Sequence, residues 1–327
     1  MKSEVKKWNT ELKEISPGIY AYVQATGGWF INNTGLIVGE KDAIVVDSLT
    51  NARMAESFLN EIKKVTDKPF SYLINTHHHQ DHTWTNHMFH AKTICQTRCR
   101  EETMKGMMIS PPLMSKFSRY VIPGLDITGA KVTLQDITFD KEYTIHQEIE
   151  GGMREIRLVY SGPAHTVGDI FVHLPKERVV FCGDLLFAEP CTPLALMGTI
   201  SGYIQALDLL ANLDVDVYVP GHGPISDKEA VYKTREYLVL LQEEARKQFN
   251  KGVSVFDAAQ NIDLGEYENW TEKEERLLMN VMRAYSDFRG TPPGMDMRGM
   301  LEAIMGLRPR NLPAAIKIMM RFRKLEV

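Results

Sequence analysis

The chain has 327 residues, of which 44% are hydrophobic and 24% charged, and it carries a net charge of −4. This is the make-up of an ordinary globular protein, long enough for one large core or for a large and a small domain. The balance speaks against a nucleic-acid partner, since the one short basic stretch, Arg321-Phe322-Arg323-Lys324, reads as a solvated helix end.

The first residues, Met1 to Lys7, are charged and lead into no apolar stretch, so they do not read as a secretory leader. No apolar run is long enough to span a membrane. The cysteines Cys95, Cys99, Cys182 and Cys191 are too few for a disulfide framework, which points to a reducing cytoplasm.

In chain order, residues 18–48 read as strands. Leu36-Ile37-Val38 and Ala43-Ile44-Val45-Val46 are short apolar runs on either side of the turn Gly39-Glu40-Lys41-Asp42. Thr50 or Asn51 caps a helix whose apolar face is Met54, Phe58 and Ile62. A strand, Ser71 to Asn75, then delivers the cluster Thr76-His77-His78-His79-Gln80-Asp81-His82. A helix is expected from about Thr83 to Glu102, with Cys95 and Cys99 as two buried small hydrophobes one turn apart.

Residues 104–130 are rich in Met, Pro and Gly and read as a long loop or lid. Strands are expected at 154–159, 170–174, 179–182 and 215–219, with a helix over 204–212. From about 228 the pattern is helical, over 230–249 and 272–288, with a break at 289–297. The methionines gather in two stretches: Met104, Met107, Met108 and Met114, then Met295, Met297, Met300 and Met305. Such stretches suit an adaptable binding wall or a subunit interface, so a homo- or hetero-oligomer is an expectation.

A catalytic metal needs imidazoles and carboxylates on short rigid loops, with a position left for water. Along a strand end alternate residues point the same way, so His77 and His79 share a side. The turn that follows brings Asp81 and His82 to a neighbouring point, a layout that suits two metals about 3.5–4 Å apart. Further ligands must come from elsewhere. His165, in Gly162-Pro163-Ala164-His165-Thr166-Val167-Gly168-Asp169, Asp184, after Gly183, and His222, between Gly221 and Gly223, follow or end strands with glycine nearby. Each is weak alone; their order and spacing together carry the argument.

That set, His-x-His-x-Asp-His at 77–82 followed by His165, Asp184 and His222, resembles the metallo-β-lactamase superfamily over roughly residues 15–230. The resemblance implies an α/β fold, the four-layer αβ/βα sandwich, here with a helical C-terminal extension. It divides the chain into a catalytic domain at 1–230 and a helical region at 231–327. It further implies that His77, His79 and His165 bind a first metal, that Asp81, His82 and His222 bind a second, and that Asp184 bridges them. The donors suit two divalent ions: zinc, with iron or manganese also fitting. His78 is expected to point away from the site. Asp47 is a candidate acceptor behind a ligating imidazole, or an ordinary strand-end cap. His87, His90, His146 and His173 show no partner pattern.

The implied activity is that of a dinuclear hydrolase in which a hydroxide bridging the metals attacks a small ester, thioester or lactone, with Asp81 as the catalytic residue that holds it. An aspartate at 184 is unlike many true β-lactamases of the family and more like glyoxalase II, lactonases and phosphodiesterases. His79 stands where oxygen-reducing diiron relatives carry glutamate. Ala164 and Asp169 depart from the glyoxalase pattern. The Met-rich loop and helical extension resemble cyclase-like and aryl-ether-hydrolysing members, and Met107, Met108, Phe117 and Tyr120 are candidates for an apolar pocket. The alternatives are hydrolysis of an activated aryl ether such as a nitroanisole, and an inactive metal-binding subunit. The expected partner is a small molecule, with no nucleic acid and no membrane.

Overall fold

The computed structural model describes residues 8–106 and 125–296. Strands β1 (Glu11–Ser16), β2 (Ile19–Val23), β3 (Thr34–Val38), β4 (Ala43–Val46), β5 (Phe70–Ile74), β6 (Lys92–Gln96) and β7 (Ile137–Phe139) form one sheet in that spatial order. Neighbours are antiparallel from β1 to β4 and parallel from β4 to β7. Strands β8 (Glu142–Ile149), β9 (Gly152–Tyr160), β10 (Ile170–Leu174), β11 (Val179–Phe187) and β12 (Val217–His222) form a second sheet, antiparallel except for the β11–β12 pair.

The central strands of the first sheet are apolar on both faces because both faces are covered. Ile37, Ile44, Val46 and Ile74 join Ile156, Leu158, Val172 and Phe181 in the core between the sheets. The alternate residues Leu36, Val45 and Leu73 face outward, under helix α1 (Ala52–Ile62), which buries Ala55, Phe58 and Ile62. Asn51 caps that helix, its Oδ1 accepting from Met54 N at 3.0 Å.

A single turn, α2 (Gln80–Thr83), and helix α3 (Thr97–Gly106) follow α1. The outer face of the second sheet, with Phe171, Val180 and Cys182, packs in one cluster with residues of α4 (Ile200–Ala211), α5 (Lys228–Asn250), α6 (Val255–Asn261) and α7 (Lys273–Phe288). The result is the helix–sheet–sheet–helix order of an αβ/βα sandwich with a helical C-terminal part.

The single helix expected over 83–102 is instead a short 3₁₀ turn at Asn86–Met88, strand β6, and the start of α3. Ile94 enters the inter-sheet core and β6 pairs with β5, so tertiary pairing overrides a weak local pattern. Cys95 therefore lies on a strand and Cys99 on a helix, both fully buried free thiols. Met107, Met108, Met114, Phe117 and Tyr120 lie outside the described residues, as do Met297, Met300, Met305 and the 321–324 basic stretch. Among the described residues no helix is long and apolar enough to cross a membrane.

Candidate metal centre

The predicted site residues converge where the sheets meet. His77 and His79 follow β5, Asp81 and His82 sit on α2, His165 lies between β9 and β10, Asp184 is within β11, and His222 ends β12. Two backbone bonds tie the sheets together here, Ile170 N to Thr76 O at 2.9 Å and Asn33 N to Gly221 O at 2.7 Å. The short turn α2 is anchored through His82 O, which accepts from Ser48 N and from Asn75 Nδ2, each at 2.9 Å.

Glycines give Asp184 its room. A Cβ on Gly221 would lie 2.0 Å from Asp184 Oδ1, and one on Gly183, whose φ is +51°, would lie 2.5 Å from Thr76 Oγ1. No other residue type fits either place without displacing backbone or a donor atom.

The side chains form two groups able to hold a metal ion: His77, His79, His165 and Asp184, and Asp81, His82 and His222. Asp184 faces both. Its Oδ2 lies 3.2 Å from His165 Nε2 and 3.8 Å from His77 Nε2. Its Oδ1 lies 3.1 Å from His82 Nε2 and 3.5 Å from His222 Nε2. Asp81 Oδ2 lies 3.3 Å from His222 Nε2, and His79 Nδ1 lies 2.8 Å from His165 Nε2. Ligands at about 2.0–2.2 Å around a tetrahedral ion stand roughly 3.3 Å apart, so most of these spacings suit a shared ion. His77 Nε2, His82 Nε2 and Asp184 Oδ1 are buried with no hydrogen-bond partner among the described residues, which apolar burial alone would penalise.

Four of the five candidate rings are held from behind. His82 Nδ1 lies 2.8 Å from Asp47 Oδ2, and Asp47 also accepts from Thr76 N and Thr76 Oγ1, both at 2.7 Å. Asp47 thus serves as the acceptor behind an imidazole and is no simple strand-end cap. Thr76 Oγ1 is 3.1 Å from His77 Nδ1, His222 Nδ1 is 3.1 Å from Gly27 O, and His165 Nδ1 contacts Leu194 O. Buried Asp169 accepts from Ala164 N at 3.2 Å and Thr166 N at 2.7 Å, bracing the loop that carries His165. The Tyr203 hydroxyl donates to Asp184 O.

Electrostatics divides the rings. Burial, helped by neighbouring imidazoles, pushes His77 and His79 well below the usual range, so both stay neutral and can ligate. Burial also opposes charge on His82, but the carboxylates of Asp184, Asp47 and Asp81 outweigh it and raise its pKa. Asp184 and Asp81 likewise lift His222 to about 9 against its burial. Burial opposes ionisation of Asp184, yet the surrounding imidazoles hold it well below the usual carboxylate range, and Asp81 is lowered in the same way by His82 and His222.

His78 lies in neither group; it faces a cavity it shares with Trp84 and Thr103, and burial pushes its pKa down to about 3. His87, His90, His146 and His173 also fall outside both groups. Leu194, Gly27 and Tyr203 are not legible as site residues in the sequence, and Thr76 only as the start of the histidine cluster. Three of the acceptors or donors involved are backbone carbonyls or a threonine beside the motif, which leave no side-chain signature.

Residues 27–222 match the metallo-beta-lactamase superfamily model. The chain belongs to that superfamily. It is 26% identical over 187 residues to the 2,4-dinitroanisole O-demethylase subunit alpha of Nocardioides sp., covering 57% of this chain and 51% of the relative. It is 30% identical over 148 residues to a hydroxyacylglutathione hydrolase of Brucella anthropi, covering 45% of each. The inverting sec-alkylsulfatase Pisa1 of Pseudomonas sp. superposes with a TM-score of 0.66 at 17% identity, over 86% of this chain and 50% of the other. The chain thus spans about half the length of each of these three proteins. The superposition bears out the superfamily fold.

Proposed function

We propose that this chain is a dinuclear metal-dependent hydrolase of a small ester, thioester or lactone. His77, His79 and His165 would hold one divalent ion, Asp81, His82 and His222 a second, and Asp184 both. The observation that carries this reading is the Asp184 carboxylate, with Oδ2 3.2 Å from His165 Nε2 and Oδ1 3.1 Å from His82 Nε2, one oxygen for each group. The nitrogen and oxygen donors suit zinc, and iron or manganese as well.

Two such ions would supply a water whose pKa is lowered towards neutrality and a Lewis acid to polarise the electrophile. The protein's own residues supply orientation. The Asp47 carboxylate and the Gly27 and Leu194 carbonyls fix which ring nitrogen of His82, His222 and His165 faces inward. Asp81, held ionised at neutral pH, accepts a hydrogen bond from the attacking water and aims its lone pair. Phe187, 1% exposed and stacked on His222, keeps bulk water from that side.

The likeness to the Brucella hydroxyacylglutathione hydrolase supports the acyl reading. A second reading, attack of water on an activated aryl ether, is favoured by the likeness to the Nocardioides subunit. The test is a panel of an acyl thioester, a lactone, an aryl ester, 2,4-dinitroanisole and an alkyl sulfate, run on zinc-loaded and chelator-stripped protein. Metal-dependent turnover of the acyl substrates is expected. Turnover confined to the ether would favour the second reading. Two bound ions with no turnover of any would mark an inactive metal-binding subunit and overturn both.

A further inference from the structure

Helix α7 lies wholly beyond residues 27–222, the part of the chain that matches the superfamily model. Its inward face nevertheless carries polar side chains at helical spacing. Arg276, Asn280 and Arg283 are 2%, 0% and 1% exposed. Buried polar groups cost stability relative to a well-packed apolar face unless every one is partnered, so the partners are informative.

Arg276 lies between two aromatic rings, 4.8 Å from Trp29 and 5.0 Å from Phe187. Its guanidinium also donates to Thr192 O and pairs with Glu272. Glu272 in turn accepts from Trp29 N at 2.7 Å. Both aromatic contacts lead to one ligand. The Phe187 ring is parallel to His222, with 2° between planes and 5.0 Å between centroids. The turn before Trp29 supplies Gly27 O, 3.1 Å from His222 Nδ1.

Asn280 leads to another. Its Oδ1 accepts from Ala195 N at 2.8 Å and its Nδ2 donates to Pro193 O at 2.9 Å. Between those residues lies Leu194, whose carbonyl contacts His165 Nδ1. Further along, Asp287 accepts from Ile200 N at 2.8 Å, holding the far end of the same segment.

We infer that helix α7 positions the metal-binding histidines: Arg276 acts on His222 through Phe187 and the Gly27–Trp29 turn, and Asn280 acts on His165 through the segment 192–195. Neither residue touches the ions or the substrate; both are positioning residues, one for each ligand group. The C-terminal helical part is thereby a component of the metal centre. The inference rests on the dinuclear reading above.

The test measures zinc(II) binding to the full chain by elemental analysis and chelator competition, with circular dichroism and melting of the stripped protein alongside. Arg276→Met should keep the fold and leave one ion as tight as in the unaltered chain, while the other is held roughly 10–100-fold more weakly, as when a partner behind a ligand is lost. Asn280→Leu should weaken the ion on the His165 side. Arg276→Lys, which keeps a cation between the rings, should recover most of the affinity. In a His222→Ala background Arg276→Met should have no further effect on the remaining ion. Folded Arg276→Met and Asn280→Leu variants that bind both ions with unchanged affinity would overturn the inference. Should Arg276→Met not fold, Glu272→Gln decides: the ion on the His222 side should weaken, and unchanged affinity there would overturn the inference. An unaltered chain that binds fewer than two ions would overturn the dinuclear reading, and the inference with it.

Discussion

Replacing Asp47 by Asn changes the fewest things at the centre. Asp47 is 2% exposed and sits at φ +61°, a left-handed conformation that Asn tolerates nearly as well as Asp. The substitution keeps shape and backbone and removes one charge. One amide oxygen can still accept from Thr76 N, now 2.7 Å away, but the amide nitrogen then stands where Oδ2 accepts from His82 Nδ1 at 2.8 Å and from Thr76 Oγ1 at 2.7 Å. A charge-assisted hydrogen bond to a buried group is worth about 1.5–3 kcal/mol, and losing one behind a ligand histidine typically lowers ion affinity about 10- to 100-fold. His82 belongs to the second group, so that ion alone should weaken. Chelator competition on the zinc-loaded protein, with its melting temperature with and without zinc, reads this directly. An Asp47→Asn protein that holds both ions as tightly as the parent would refute the reasoning.

Other outcomes follow from the same geometry. Asp184→Ala removes the carboxylate shared by both groups, so elemental analysis should show both ions depleted and turnover lost together. Gly221→Ala puts a methyl 2.0 Å from Asp184 Oδ1 and should lower stability by about 1–3 kcal/mol in denaturant melts, with ion content falling as well. The chelator-stripped protein should be most stable near pH 6.5. Below that value the unfolded chain binds protons that buried His77 and His79 refuse, so stability falls with pH. Above it His82 and His222 keep protons the unfolded chain has shed, so their contribution is lost as pH rises towards about 9. Melting across pH 5 to 9 checks both limbs. A monotonic rise would contradict the assignment.

The parts of this protein that announce themselves in sequence are those with strong local chemistry. β3, β4 and α1 show as apolar runs and a capped amphipathic helix because both faces of the sheet are covered. α7 shows because Leu277, Val281, Ala284 and Tyr285 recur at helical spacing. β1, with mostly exposed Glu11-Leu12-Lys13-Glu14, is an edge strand and carries no such run. β8 hides its alternation because one inward residue is a glutamine: Gln147, 3% exposed, donates to Asp42 Oδ1 at 3.0 Å. β6 exists through its parallel pairing with β5 and β7, a long-range term that no local window contains. At the candidate metal centre the proposed ligand set was readable because imidazoles and carboxylates in a fixed order are rare. Its supports, Leu194 O, Gly27 O and the Arg276 and Asn280 side chains, were not. They are backbone groups, or residues whose partners are tens to hundreds of positions away.

The central claim is that this chain holds two divalent ions and uses them in hydrolysis. Elemental analysis of the purified protein, paired with turnover of an acyl thioester and a lactone before and after stripping with a chelator, tests it most directly. The account predicts close to two ions per chain, loss of turnover on stripping, and recovery when zinc, manganese or iron is restored. A folded protein with almost no bound metal and full turnover would contradict it.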